Sequence, residues 1–360
     1  MKIAVLVRVL VAIAALVGGV TGVGVGRAAE RLTAHELLRQ VGGFNRADLS
    51  AVDRGQPVAR ILDTDRREIA VVGAVRIRAA RERLLERYRT VNYMKPGDIV
   101  LAAGVFSDAP KVSDLQPLSI EDYDLDLRDC RPGDCRVRLS ADQIALFHRD
   151  VRWQSSDWRA QSADVWRRVL ADYAAAYAAD GVAALTHYDN KKEPLSVRQE
   201  YQPLLDSCAF VAAWSPEFHA YLQEPFKARL EGVENLLYWT KEDFGIRPVM
   251  RMSHQMLYSP APDGQSRRAV LIATKQLYAA HYLDAALGIT MALETDRSTG
   301  VQDAQATDGS GQEFYFIQVN RARTRSLSGF FRTMVRSTVL NRSRDLMDKT
   351  LRVTKQALER

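Results

Sequence analysis

The segment Val71-Val-Gly-Ala-Val-Arg-Ile-Arg-Ala-Ala80 lies where an alternating pattern of apolar residues changes into a helical one. From Glu68 to Ile77 the residues alternate, and valine and isoleucine are frequent, which predicts a strand. From Ala79 to Thr90 the apolar residues follow helical spacing. A strand that passes directly into a helix through a corner of small residues is a common start of an α+β domain.

The rest of the chain divides into a strand-rich part, a mostly helical middle and a second strand-rich part. Strands are predicted at Ile99 to Phe106 and at Leu118 to Leu127. Helical spacing dominates about 140–232, where one amphipathic helix ends at Gly181 and has Ser162 as its predicted N-cap. Further strands are predicted at 236–240, 248–258, 269–278, 286–294 and 313–320, followed by a helix at 326–358.

This order of elements resembles the START-like, or helix-grip, superfamily (SRPBCC-type). The resemblance is carried by residues 71–80, which lead into the first helix, and by Phe314-Tyr-Phe-Ile-Gln-Val319, which lead into the last. It implies an α+β fold in which a curved antiparallel sheet grips a long C-terminal helix and leaves an apolar cavity between them. It covers roughly 66–140 and 234–360, and the helical middle at about 140–232 departs from the family pattern as an insertion.

The predicted C-terminal helix has one apolar stripe that would face the sheet. We expect a START-like domain at 66–360 after an N-terminal extension at 30–65. The polar segment 296–312 is predicted to be a hairpin tip. The stripe is formed by Phe331, Val335, Val339, Leu346, Val353 and Ala357.

The first 29 residues predict export. Basic residues precede an uncharged run from Val9 to Val17, and the segment ends in Gly26-Arg-Ala-Ala29. A positive start, a short apolar core and small residues before a polar break are typical of a secretory signal peptide. The alternative is a retained membrane anchor, but Val9 to Val25 is only 17 residues and rich in glycine, whereas a spanning helix needs roughly 20 strongly apolar residues. We expect cleavage near Ala28 or Ala29 and a periplasmic or secreted protein.

The composition is that of an ordinary globular protein, with 47% hydrophobic and 26% charged residues. Without residues 1–29 the chain keeps 47 basic and 44 acidic residues, a net charge of +3. Positive charge is concentrated at the end, because residues 321–360 contain eleven basic and three acidic residues. Export and this weak net charge predict no nucleic-acid partner.

Two of the three cysteines are predicted to form a disulfide. Cys130 and Cys135 flank a Pro132-Gly133 turn, and the flanking residues alternate as strands do. In an oxidising compartment this pair is expected to close a hairpin disulfide. The alternatives are a redox-active pair, although the spacing is not Cys-x-x-Cys, and a metal site, although no histidine lies close by. Cys208 is interpreted as a buried free thiol.

The segment 248–258 carries an alternating row of soft and aromatic side chains. Methionine adapts to varied apolar shapes, so the row suits the wall of a ligand cavity, and the alternative is ordinary core. His254 would need a polar partner inside a core. The row consists of Met250, Met252, His254, Met256 and Tyr258.

A second group of cavity candidates follows in the next predicted strand. It comprises Lys275, Tyr278 and His281, with Lys275 and Tyr278 on opposite faces if the strand is regular. His281 is expected on a strand beside His254, but a zinc site would require a third ligand, and none occurs at ligand spacing. We expect no metal and no cofactor.

Three arginines, Arg321, Arg323 and Arg325, alternate after the last predicted strand and would point to one side. Guanidinium groups match phosphate and carboxylate well, and clustered basic residues are attracted to anionic lipids. They are therefore candidates for binding anionic groups at a membrane surface. The alternative is a solvated basic corner.

The leading hypothesis is an exported START-like protein that binds or carries a hydrophobic ligand, in particular a lipid, in the cell envelope. The second is an enzyme of the same fold that performs acid–base chemistry on an apolar substrate. The third is an envelope interaction module with a filled core and no ligand. No catalytic residues are predicted, because the chain has no His-Glu-x-x-His, Gly-x-Ser-x-Gly or phosphate-binding glycine motif.

Overall fold

The protein has a mixed α+β fold, as predicted. A computed structural model describes residues 32–94, 99–243, 245, 247–260, 269–295, 312–325 and 332–360, and within 332–335 only the backbone. The predicted signal peptide at residues 1–29 and all but the last residue of the polar segment 296–312 lie outside the described residues. No helix in the described ranges is long and apolar enough to cross a membrane.

Ten strands are present in the described part of the chain. They are β1 (Val58–Ile61), β2 (Glu68–Ile77), β3 (Val100–Val105), β4 (His187–Tyr188), β5 (Leu195–Ser196), β6 (Val233–Asp243), β7 (Pro248–Tyr258), β8 (Ala269–Ala279), β9 (Ala285–Glu294) and β10 (Phe314–Arg323). Eight of them form one antiparallel sheet in the order β1-β2-β10-β9-β8-β7-β6-β3, and β4 pairs separately with β5.

The helices are concentrated in the middle of the chain and at its end. They are α1 (Ala34–Gly42), α2 (Arg46–Asp53), α3 (Glu82–Tyr88), α4 (Asp122–Leu125), α5 (Ala141–Asp150), α6 (Trp158–Asp180), α7 (Val197–Asp206), α8 (Pro216–Gln223) and α9 (Arg332–Leu358). The mostly helical middle is thus confirmed. The strand predicted at Leu118 to Leu127 is wrong, because this segment contains the single turn α4. Ser162 does not cap a helix, since it lies inside α6 and its hydroxyl donates to the Leu125 carbonyl oxygen at 2.6 Å.

The large sheet is covered on both faces. The even positions of β7, such as Met252, share a buried cluster with Trp166 of α6, and we call this side the helical-layer face. The odd position Leu257 shares a second cluster with Met347 and Leu351 of α9, and we call this side the grip face. Strand residues alternate between the two faces, and directly paired residues of neighbouring strands share a face. These two rules assign every residue of the sheet to the helical-layer face or the grip face.

The C-terminal helix α9 packs on the grip face over β2. Gly73 permits this contact, because a Cβ there would lie 2.6 Å from Met347 Cγ. At the other end of the curved sheet, Arg342 of α9 reaches to within 4.0 Å of the position of a Cβ at Gly245. The predicted Phe331 and Val335 lie outside the described side chains. From residue 336 onward the buried stripe of the helix is displaced by one residue from the prediction, and it consists of Leu340, Met347, Leu351, Thr354 and Leu358.

Cys130 and Cys135 are joined by a disulfide bond, as predicted. The segments around it are not a regular strand hairpin, since only Arg131 and Asp134 form an isolated bridge across the turn. Cys208 is a free, buried cysteine, and burial raises the pKa of its thiol to about 12. A thiol with such a pKa stays protonated and is a poor nucleophile near neutral pH.

Candidate functional site

The grip face also carries a block of polar side chains on β6 to β9, beside the part of the sheet on which α9 packs. A sheet face that packs under a helix is normally apolar, and here most of these residues are less than a tenth exposed. We call this block the polar floor. It consists of Tyr238, Thr240 and Glu242 of β6, Arg251, Ser253 and Gln255 of β7, Gln276 of β8 and Thr290 of β9.

The centre of the polar floor is an ion pair between Arg251 and Glu242. Nη1 of Arg251 donates to Oε2 of Glu242 at 2.6 Å, and Nε of Arg251 donates to Oε1 of Gln276 at 3.2 Å. The hydroxyl of Thr240 donates to the other Glu242 oxygen at 2.7 Å. The two charged side chains are 18% and 11% exposed, so they are largely removed from water. Their opposite charges and shared hydrogen bonds are what makes this burial tolerable.

Two tyrosines that follow β2 in the chain cover the polar floor near Gln255. The hydroxyl of Tyr93 donates to Oε1 of Gln255 at 3.0 Å, and the Gln255 amide donates to the carbonyl oxygen of Tyr88. Burial raises the pKa of Tyr93, and it raises that of Tyr238 to about 12, so both phenols remain protonated donors. The polar floor therefore presents hydroxyl and amide groups around a neutralised ion pair.

An apolar block lies beside the polar floor on the same face. Leu257, Val270, Ile272 and Phe316 belong to the cluster that α9 completes. Between the two blocks, Gln318 is the cross-strand neighbour of Thr290, and its buried Oε1 has no hydrogen-bond partner in the described part of the chain. A molecule with one polar and one apolar end would match this division of the face.

The predicted methionine row is on the opposite side of the sheet from α9. Met250, Met252, Met256 and Tyr258 belong to the cluster formed with the helical layer, so they do not line the space beneath the C-terminal helix. Tyr258 stacks on Phe218 of α8 with ring centroids 5.4 Å apart.

His254 has the polar partners that a buried histidine needs. Its Nδ1 lies 3.1 Å from the Tyr177 hydroxyl and its Nε2 lies 2.8 Å from Oδ1 of Asn235. Since an amide oxygen only accepts, Nε2 carries the proton and Nδ1 accepts from the tyrosine. Burial, together with the nearby charge of Lys275, lowers the pKa of His254 to about 3, so the imidazole is neutral.

Lys275 and Tyr278 also face the helical layer. Lys275 is the cross-strand neighbour of His254, and its Nζ lies 4.5 Å from the ring of Tyr201. A register shift between β7 and β8 pairs Met252 with Tyr278 and Ser253 with Gln276, so Tyr278 shares a face with Lys275 rather than opposing it. The Tyr278 hydroxyl donates to the carbonyl oxygen of Arg138 at 3.0 Å.

His281 follows β8 and is separate from this group. Its Nε2 lies 2.8 Å from Oδ1 of Asp124, so its partner differs from those of His254. Among the described residues, no three histidine, cysteine, aspartate or glutamate side chains come together in a way that could hold a metal ion.

The three C-terminal arginines do not form a free basic surface. Arg321 pairs with Glu68, and both side chains are nearly buried. Arg323 donates from Nε to Glu200 at 2.9 Å and from Nη1 to Asp65 at 2.8 Å. Arg325 is 38% exposed, donates to the carbonyl oxygen of Glu193, and lies with Nη2 3.8 Å from Oε1 of Glu200 at the edge of the same network. Two of the three charges are therefore balanced inside the protein.

The two buried carboxylates near these arginines, Glu200 and Asp284, have pKa values shifted in opposite directions. Burial of Glu200 opposes ionisation, but hydrogen bonds from Arg67 and Arg323 outweigh it and lower the pKa of Glu200. Asp284 is fully buried beside Arg138, and its burial raises its pKa in spite of that arginine. These ion pairs connect β2, α7 and β10, so we interpret them as a structural network rather than a binding site.

The polar floor was not predicted from the sequence, although a signal for it exists. The alternation along β7 places Arg251, Ser253 and Gln255 between the methionine and histidine positions. Polar residues at alternate positions usually indicate a solvated face. They indicate a buried site only once both faces of the strand are known to be covered.

A scan against protein-family models, a search of curated proteins and a search of solved structures each found no match to this chain. The sheet and the C-terminal helix are compatible with a helix-grip fold.

Proposed function

We propose that this is an exported START-like protein that binds an amphipathic small molecule between the grip face and α9. The observation that carries the proposal is the polar floor, a buried block of hydrogen-bonding groups beside an apolar block on the face that the C-terminal helix covers. The resemblance to the helix-grip superfamily implies a ligand in the same place. The disulfide bond and the predicted signal peptide support export to an oxidising compartment.

The chemistry of the polar floor favours a neutral polar head group. Arg251 is already paired with Glu242, so a ligand anion would have to displace a buried carboxylate. Gln318, in contrast, offers a buried oxygen without a partner, which a hydroxyl or amine donor of the ligand would satisfy. A long-chain alcohol or a lipid with a hydroxyl head group has both ends of the required character.

Native mass spectrometry of the purified mature protein tests whether a ligand is present. A co-purified lipid supports the proposal. Direct binding is then measured with a fluorescent fatty alcohol and the matching fatty acid of the same length, and we expect tighter binding of the alcohol.

A paired variant locates the binding site. Replacing Glu242 and Arg251 together by glutamine removes both charges at once and leaves neither buried alone, and we expect probe affinity to fall about fivefold, in line with lost hydrogen bonds. Arg325→Gln, which changes a half-exposed charge elsewhere, is the control and should bind normally. A bare mass in several preparations together with no binding of either probe would leave the third hypothesis, an interaction module without ligand.

A further inference from the structure

On the helical-layer face, Lys275 ends in an amine that has no hydrogen-bond acceptor among the residues that the structure describes. The residue is 1% exposed, and its Nζ is buried without a partner among the described residues. Nearly all buried polar side chains in proteins have a hydrogen-bond partner, and an unpaired buried ammonium is unfavourable. The aromatic ring of Tyr201 is the nearest favourable group. Because this arrangement is unfavourable for folding, we asked whether the amine has a chemical role.

Burial lowers the pKa of Lys275, so its neutral form is populated at a lower pH than that of an exposed lysine. Burial is the main cause that lowers its pKa to about 8, while Glu224 raises it and Arg198 lowers it. These two residues lie 3.7 Å apart and pair with each other. The neighbouring His254 is neutral, and Tyr177 and Tyr201 stay protonated because burial raises their pKa values. A neutral amine in apolar surroundings is a nucleophile.

A shallow pocket is open to solvent on this side of the sheet, and Lys275 is not in its lining but is linked to it through His254. Its volume is about 410 Å³, which is in the range of small-molecule sites. Asn235 in its wall bonds His254, and the Phe226 ring stacks on the same imidazole with centroids 4.7 Å apart. His254 is in turn the cross-strand neighbour of Lys275. The pocket is lined by Tyr221, Phe226, Ala228, Arg229, Leu230, Glu231, Val233 and Asn235.

Phe226 holds a strained backbone conformation at the inner wall of this pocket. Its φ angle is +67°, a left-handed value that is rare for a bulky residue. Pro225, which precedes Phe226, packs against Gly181 at the end of α6. A Cβ at position 181 would lie 2.5 Å from the Pro225 carbonyl oxygen, so only glycine leaves room for it. Strain of this kind is common at functional sites, and it lowers the cost of moving the ring away from His254.

We propose that Lys275 is the reactive amine of a carbonyl-binding site, which admits a small apolar aldehyde or ketone past Phe226 and holds it as an imine. The amine nitrogen attacks the carbonyl carbon, a C–N bond forms, and the carbonyl π electrons move to oxygen. The resulting carbinolamine loses that oxygen as water, which takes both protons of the amine nitrogen, and a C=N bond remains. No oxidant or reductant takes part. The site lies on the opposite sheet face from the polar floor and does not depend on it.

The test is reductive trapping with butanal and cyanoborohydride, followed by peptide mass mapping of every lysine. At pH 8 the neutral fraction of Lys275 is about 100 times that of an ordinary lysine, and we expect it to be alkylated at least about tenfold faster than the exposed Lys192. The rate should reach half its maximum near pH 8. Phe226→Gly removes the ring and suits the left-handed backbone, so it should accelerate the labelling.

Lys241 is the matched control. It is also buried, but its Nζ donates to Ser119 at 2.8 Å and pairs with Glu121, so it should react slowly. We expect Lys275 to be labelled equally in the Glu242/Arg251 double variant. That result would show that this site is independent of the proposed ligand site on the other face. Lys275 that remains unlabelled while Lys192 reacts, or that reacts only as fast as the whole protein unfolds, would overturn the proposal.

Discussion

Replacing Lys275 by methionine should stabilise the protein, which is an unusual outcome for a buried position. Methionine has a similar length and flexibility and can fill the same space beside Tyr201. The substitution removes an amine that is 1% exposed and has no hydrogen-bond acceptor in the described part of the chain, so no described partner is left unsatisfied. The free energy of unfolding at pH 7 should therefore rise.

The size of the effect follows from the pKa of Lys275. Burial lowers it from 10.5 to about 8, so between these values the folded protein binds fewer protons than the unfolded chain. Above pH 10.5 the amine is neutral in both states and carries no penalty. As the pH falls from 10.5 to about 8 the unfolded chain takes up the proton first, so the folded state loses stability, and the loss is complete below the folded pKa. At pH 7 the lysine then costs roughly 3.5 kcal/mol, and at pH 9.5 roughly 1.5 kcal/mol. The advantage of the methionine variant should thus shrink by about 2 kcal/mol over this range.

Urea unfolding of the wild type and the variant between pH 7 and 9.5 measures both quantities. Lys241→Met is the control with opposite sign, because it breaks the contacts of Lys241 with Ser119 and Glu121 and should lower the free energy of unfolding. A Lys275→Met variant that is less stable at every pH, with no change in the difference between pH 7 and 9.5, would refute the reasoning. That result would mean that the folded protein holds the ammonium charged against an anion.

Three further predictions concern other parts of the fold. Arg323→Gln removes the charged hydrogen bonds to buried Glu200, which keeps Arg67, and to half-exposed Asp65, and it should lower the free energy of unfolding by roughly 1.5–3 kcal/mol. Arg325→Gln should change it by less than about 1 kcal/mol, and equal losses in urea unfolding would contradict the buried network. Gly73→Ala places a methyl group where α9 touches β2 and should cost roughly 1–3 kcal/mol by overpacking, and an unchanged thermal midpoint would show that the helix can retreat. Peptide mapping without reductant should find Cys130 linked to Cys135, and the double Cys→Ser variant should lose about 2 kcal/mol because the closed loop is short; two free thiols in the mature protein would disprove the bond.

The strands were predictable because alternation and β-branched residues mark them directly. The bounds of β2 and β7 are those predicted, and the last helix was expected in the right place. The face of that helix was missed by one residue, since Val339 and Leu346 lie next to Leu340 and Met347 in the sequence. A helix turns 100° per residue, so neighbouring apolar positions compete for the buried side, and only the sheet decides between them. Leu346 is 40% exposed as a result.

The layer that covers each face could not be predicted from one strand. Alternation shows that Met252, His254 and Met256 share a face, and this is what the structure has. Whether that face packs against α9 or against the helices of the middle segment depends on the path of the chain between the strands and these helices, which one strand does not reveal. The register shift at Leu277 is also invisible in the sequence, because it depends on pairing with β7. Long-range pairing of this kind also determines that Arg323 is buried.

The two faces of β7 lead to different kinds of ligand. Both are covered, so the polar side chains on the grip face cannot be explained by contact with solvent, and they already satisfy one another through the Arg251–Glu242 pair. The protein can therefore fold without a ligand there, and a ligand gains most of its affinity from groups that remain unpaired, such as Oε1 of Gln318. On the helical-layer face one of the unpaired groups in the described part of the chain is an amine, which is a nucleophile rather than an acceptor. A hydrogen-bond donor is thus the chemical feature that the first site selects, and an electrophilic carbon is the feature that the second selects.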